Sequence, residues 1–207
     1  MEDSKIRELM RVWARQHYIK SAREQDYTVS EWLFNESYQE DLKYILEALK
    51  EEKFNYLRAK TQKQIAAGKL SESQIASLRS VLKQGFVENQ SMQEIAKNIK
   101  SETNLKPLYR TDKAGNLILV DGEKEVLLSA SKRAKNIART EVVKISSKGA
   151  MKRYSANDIK EYIWVAAISD RTCEECMGLD NNVYPVGEGK LPPAHVACRC
   201  STIAKIK

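Results

Sequence analysis

Residues 161–200 read EYIWVAAISDRTCEECMGLDNNVYPVGEGKLPPAHVACRC. The stretch opens as a strand. Tyr162, Ile163, Trp164 and Val165 are aromatic or β-branched, and Glu161 to Ile168 predicts one extended element. After Asp170 the character changes. Gly178, Pro185, Gly187, Gly189, Pro192 and Pro193 punctuate the chain and predict loops with little regular structure. Into those loops fall all four cysteines, Cys173, Cys176, Cys198 and Cys200, together with His195.

The spacing is Cys-x2-Cys, eighteen residues, then His-x2-Cys-x-Cys. A zinc ion takes about four nitrogen or sulfur ligands in a tetrahedron. One tight turn supplies Cys173 and Cys176, and Gly178 relaxes it. His195, Cys198 and Cys200 then compete for the remaining places, so one of the five is surplus. A closed site of this kind is structural and contributes to folding a segment with little apolar material of its own. Disulfides from Cys173 or Cys176 to Cys198 or Cys200 are the second reading, and free thiols beside a buried His195 the third. A redox-active Cys-x2-Cys needs a thioredoxin-like βαβ setting, which the flanking sequence does not provide.

Immediately upstream, residues 131–153 read SKRAKNIARTEVVKISSKGAMKR, with eight basic residues and one acidic. At helical spacing Ala134, Ile137, Ala138 and Ile145 share a face, and Glu141 falls in its middle. A carboxylate there is costly to bury without a partner. Arg171 and Arg199 are the expected partners in a structural ion pair, a reading that outweighs a catalytic carboxylate. Lys132, Lys135 and Arg139 lie on one side, while Lys144, Lys148 and Lys152 gather elsewhere. Phosphate contact would need only this charge, and a solvated basic face explains it equally well.

Further out, the pattern is helical. Ile6, Leu9, Met10, Trp13 and Tyr18 predict a helix over 3–24, and Ser30 is placed to cap the next. Leu42, Ile45, Leu46, Leu49, Phe54 and Leu57 form a stripe over 31–66, as one long helix or two in line, with Gly68 placed to end it. Ser71 with Gln74, and Ser91 with Glu94, are capping boxes before Ile75, Leu78, Leu82, Phe86 and before Ile95, Ile99. Leu108-Tyr109 and Leu117 to Val120 flank a turn at Asp112 to Asn116, and Asp121-Gly122 closes this β-excursion. The fold class is therefore α+β. A helical region spans 1–104, a hairpin insertion 105–126, and a helix, small sheet and Cys/His-stapled module 127–207.

The 207 residues carry a formal net charge of +7, which permits DNA, RNA or acidic protein partners without selecting one. The charged start, MEDSKIRELM, lacks the basic-then-apolar pattern of a leader, and Tyr162 to Ile168 is too short to span a bilayer. The expectation is a cytoplasmic product with no membrane contact, in which clustered cysteines point first to metal.

Three pieces of sequence together resemble a known family. They are Ile137-Ala138-Arg139-Thr140-Glu141, then Trp164 to Ala167 with Asp170-Arg171-Thr172-Cys173-x2-Cys176-x2-Leu179-Asp180, then Pro192-Pro193-x-His195-x2-Cys198-Arg199-Cys200. The sequence resembles phage head-morphogenesis proteins with a Mu protein F-like domain, specifically over 131–202 and more vaguely over 71–104. The resemblance implies a minor head protein in low copy number inside the virion capsid at the portal vertex, acting in head assembly and DNA packaging or delivery. The implied partners are the portal protein, packaged double-stranded DNA and the major capsid or scaffold protein. Asn181-Asn182 stands where a glycine often follows the Leu-Asp pair, and Val196 where a proline often follows the histidine. Two other classes compete. A small nuclease or transferase would use His195 with Glu141 and Arg199, which requires His195 free of metal. A zinc-dependent DNA-binding protein would need a recognition helix, and no segment has that composition.

Overall fold

The computed structural model describes residues 30–54 and 70–205, with 30–40 as backbone only. The helix expected over 3–24 lies outside the described residues. Among the described residues, five helices and seven short strands follow in the order α1 (Ser30–Glu51), α2 (Glu72–Val87), α3 (Met92–Glu102), β1 (Leu108–Tyr109), β2 (Leu119–Val120), β3 (Glu123–Lys124), β4 (Val126–Leu128), α4 (Ala130–Ala156), β5 (Glu161–Val165), α5 (Glu174–Leu179), β6 (Val183–Pro185) and β7 (Ser201–Lys205). The class is α+β, as the sequence indicates. The described chain forms two compact units. One takes residues 30–50, 145–192 and 200–205, the other 51–54, 70–144 and 193–199.

In the first unit, β5 is the centre of a three-stranded antiparallel sheet in the order β6-β5-β7. Alternation along β5 buries Tyr162 and Trp164. Ala150, Met151 and Tyr154 of α4 pack with Tyr162 and Ala204, and Ile159, Tyr184, Val186 and Leu191 close the rim. The Tyr154 hydroxyl donates to the Thr202 carbonyl at 3.2 Å, which pins helix to strand. α1 approaches α4 at Gly149, where a Cβ would lie 3.0 Å from the Ile45 backbone. One turn on, Arg153 of α4 forms a buried ion pair with Asp41 of α1.

In the second unit, both predicted capping boxes are present. Ser71 Oγ accepts from Gln74 N and the Gln74 side chain from Ser71 N, and Ser91 pairs reciprocally with Glu94 in the same way. Leu78, Val81, Leu82 and Phe86 of α2 are buried, as are Ile95, Ala96 and Ile99 of α3. A single helix over 31–66 is not found. α1 stops at Glu51, because Glu52 and Phe54 are drawn into contacts a continuing helix would not make. The buried Glu52 carboxylate meets Lys144 Nζ at 2.6 Å, its carbonyl accepts from Arg79, and the Arg79 guanidinium lies over the Phe54 ring. Where a second in-line helix would run lies outside the described residues.

The excursion after α3 is richer than one hairpin. Thr111 bridges Leu117 around the tip, β2 pairs with β3, and β1 returns to pair with β4. Asp112 builds the tip. Its carboxylate accepts from the Asn116 backbone at 2.9 Å, the Asn116 side chain at 3.1 Å and the Ala114 backbone at 2.9 Å, and these bonds, those from Asn116 foremost, hold its pKa below the usual carboxylate range. Asp121 and Gly122, at φ 53° and 82°, make the closing turn. At the centre, three segments exchange main-chain bonds in a ring: Arg110 N to Glu125 O, Glu125 N to Ile118 O, and Ile118 N to Arg110 O.

The loops expected after Asp170 contain α5, β6 and β7. β5 also ends at Val165 rather than Ile168, because the Ala166 N–H leaves the ladder and donates to Asp180 Oδ1 at 2.7 Å.

Candidate metal centre

α4 carries the apolar face read from its sequence. Ala134, Ile137, Ala138 and Ile145 are all buried, and so is Glu141. Lys144 Nζ stands 3.8 Å from the Glu141 carboxylate and 2.6 Å from that of Glu52, so one ammonium serves two buried acids. Arg171 is exposed in the turn before Cys173, where its backbone N–H donates to Ser169 Oγ, and Arg199 is half-buried. Of the basic residues singled out for phosphate contact, Lys132, Lys135 and Lys148 are exposed, Arg139 and Lys152 are half-buried, and Lys144 carries the paired ammonium.

Two other basic residues of this helix turn inward. Arg153 pairs with Asp41, and Arg133 Nη1 donates to the Lys106 carbonyl. Burial holds the Arg133 guanidinium below its ordinary pKa. By residue type alone, both are simply part of the basic charge of this helix. Their signal was position, since Arg133 adjoins Ala134 and Arg153 falls between Met151 and Tyr154.

The loop carrying His195 is tied to α4 by a residue not singled out from sequence. Thr140 Oγ1 accepts the Ala197 N–H at 2.9 Å while donating to the Asn136 carbonyl at 2.7 Å. Ala197 sits at φ 59°, a left-handed conformation that costs an alanine energy. That fold in the chain brings Cys198 N to the His195 carbonyl at 3.2 Å.

Cys173 is the N-cap of α5, exposed, with its sulfur accepting from the Cys176 N–H at 3.5 Å. Cys176, Cys198 and Cys200 are buried, and no disulfide joins any of the four cysteines. In each of two groups, Cys173, Cys176 and His195, and Cys176, Cys198 and Cys200, the potential ligand atoms all lie within 4.8 Å of one another. His195 Nδ1 is 2.8 Å from the Val196 carbonyl. A carbonyl can only accept, so this contact puts the ring proton on Nδ1 and the lone pair of the neutral ring on Nε2. A histidine held in this way by a backbone carbonyl has the ring orientation that metal-binding histidines commonly need. Soft thiolates with one imidazole suit zinc and other thiophilic ions, and the chemistry of the donor set fits.

A family model described as phage Mu protein F like protein matches residues 76–203. The chain belongs to the phage Mu protein F-like family. Nothing matches it among curated proteins or among solved structures. The Mu F-like match spans α2 to β7 and so takes in the 106–128 excursion, the Thr140 contact and both Cys/His groups. The family is one of phage head proteins, which places the chain among virion components and is consistent with a structural rather than an enzymatic role. No helix among the described residues is long and apolar enough to cross a membrane.

The departures noted against the family pattern have local explanations. Asn181 adopts φ 61°, the left-handed conformation that glycine takes freely and asparagine tolerates, and its N–H donates to the Trp164 carbonyl at 2.9 Å. Val196 supplies through its carbonyl the acceptor that holds the His195 ring. Asp180, matched in sequence without a role, caps the end of β5 through Ala166.

Proposed function

We propose that this chain is a minor head protein bound at the portal vertex inside the capsid, acting in head morphogenesis and in packaging or delivery of the genome. The observation that carries the reading is the Mu F-like match over residues 76–203. The portal protein is the principal partner, docked by the helical region 1–104. Residues 127–207 form the Cys/His-bearing domain, and 105–126 an insertion between them. The major capsid or scaffold protein is a secondary contact, made in the host cytoplasm during assembly.

Zinc is the cofactor of this reading, held by four of Cys173, Cys176, His195, Cys198 and Cys200. When bound, it supplies a structural cross-link rather than an open catalytic position. Support comes from the grouping of these ligand atoms and from the oriented His195 ring. Glu141 is a structural carboxylate whose cationic surroundings include Lys144, with Arg171 and Arg199 as the further proposed partners. Packaged double-stranded DNA is a weaker partner, reached through Lys132, Lys135, Arg139, Lys148 and Lys152, with Lys144 contributing field more than contact.

The test is co-purification of the full chain with the portal protein, together with assembly in its absence. Portal retention and heads that fail to form or fill support the proposal. Normal filled heads without the chain, and no portal retention, overturn it. For DNA, the logarithm of affinity should fall linearly with the logarithm of salt, with a slope of about −0.9 per phosphate neutralised.

A further inference from the structure

We infer that the 108–128 excursion is a docking surface whose occupant is an apolar segment of another head protein, bringing one carboxylate to Lys124; this rests on the head-protein reading above. The surface lies wholly within one compact unit. Among the described residues nine large hydrophobic side chains are exposed, and five of them fall between Tyr109 and Val126. Strand pairing gathers four of the five on one face. Tyr109 is the cross-strand partner of Val126, and Leu119 of Lys124. Cross-strand partners project from the same face of a ladder. Lys124 and Val126 alternate along one segment, and Leu117 and Leu119 along another. The Lys124 ammonium stands 5.8 Å from the centre of the Tyr109 ring, which joins the two pairs. The face is therefore Tyr109, Leu117, Leu119 and Val126 around one cation.

Charge and size decide what covers this face. Residues 106–128 hold four basic and four acidic side chains, so the net charge of +7 belongs to the rest of the chain. The excursion has no excess of positive charge with which to draw phosphate. Lys124 has no carboxylate partner among the described residues, and the neighbouring Glu125 is taken by Arg110 at 3.3 Å. A cation held only over an exposed ring gains from a carboxylate sealed against it by apolar contact. The four apolar residues are between 37% and 58% exposed, which is roughly 300–400 Å² of surface. A standard interface buries about 800 Å² on each partner, so two copies meeting on this face alone fall short. A two-fold contact would also turn Lys124 toward its own copy. One segment of a different protein fits both the area and the charge.

The experiment places a photo-crosslinking residue at Leu119, and separately at Leu117, in the full chain during head assembly. Both side chains are exposed, so neither replacement removes a core contact. The expected product joins the chain to another head protein, at a segment with apolar residues and an aspartate or glutamate. Lys124→Glu should lower that product about tenfold or more, because two carboxylates would then face each other. Changing the acid of the cross-linked segment to lysine should restore it, which a folding defect would not allow. A product that survives Lys124→Glu, or that the reciprocal change fails to restore, overturns the inference. Cross-links to a second copy, to DNA or within the same chain overturn it as well, as do heads that contain the chain and yield no product. In each of these outcomes the head-protein reading stands. Heads assembled without incorporating the chain overturn that reading, and the docking surface with it.

Discussion

The Asp41–Arg153 pair offers a quantitative test of how α1 is held to α4. Its partners lie 112 residues apart in sequence, and their side chains are 8% and 2% exposed. Asp41→Ala leaves a guanidinium in a low-dielectric interior without its carboxylate, which costs about 3–5 kcal/mol. Arg153→Met leaves the carboxylate in the same position, with a similar loss. The double variant Asp41→Leu/Arg153→Met removes both charges and refills the space with apolar atoms. Such replacements range from neutral to stabilising by about 1–4 kcal/mol. The singles should therefore overshoot the double by at least about 3 kcal/mol. Urea unfolding of the four proteins reads this directly. At a slope of about 2 kcal/mol per molar, Asp41→Ala moves the midpoint down by roughly 1.5–2.5 M. A loss below about 1 kcal/mol for Asp41→Ala, the range of exposed pairs, would refute the argument by showing that water reaches the pair.

Three further outcomes follow from other contacts. Burial, and secondarily the neighbouring Tyr184, push the Tyr162 phenol up to about 12, and its hydroxyl donates to the Lys190 carbonyl at 2.6 Å. The unfolded chain then ionises first, near pH 10. Stability is whole below that pH and falls as pH rises toward 12. Ultraviolet titration of wild type against Tyr162→Phe should show one late-ionising tyrosine vanish, and an unchanged titration curve would exclude the assignment. Gly149→Ala gains about 1 kcal/mol of helix propensity but drives a methyl toward the Ile45 backbone, which costs about 1–3 kcal/mol. Thermal unfolding should show net destabilisation, and a raised midpoint would mean that α1 yields freely. Thr140→Val keeps the shape but takes the acceptor from the Ala197 N–H, at a cost of about 1–3 kcal/mol. Amide exchange at Ala197 should accelerate, and unaltered protection there would dismiss the contact.

Legibility in the sequence followed how local the governing interaction is. The two capping boxes and the buried face of α4 depend on residues three or four apart, and the pattern displays them directly. The end of α1 depends on Glu52 meeting Lys144 and Arg79, partners that sequence spacing does not announce. The same holds for Arg133 and Arg153, whose charge suggests solvent while their burial comes from distant oxygens. β6 and β7 are short, and β6 ends in a proline, so neither builds a periodic signal of its own; both exist by pairing with β5. In the candidate metal centre, the ligand types and their spacing were legible. Their division into two groups around Cys176, and the Thr140 clasp on the neighbouring loop, were not.

The main-chain ring of Arg110, Ile118 and Glu125 separates architecture from decoration. Main-chain bonds close it, with an Arg110–Glu125 side-chain ion pair at 3.3 Å beside them, while the side chains of Leu117, Leu119, Val120 and Val126 are exposed. A proline at any one of the three junction residues would remove one of the N–H donors that tie the excursion together.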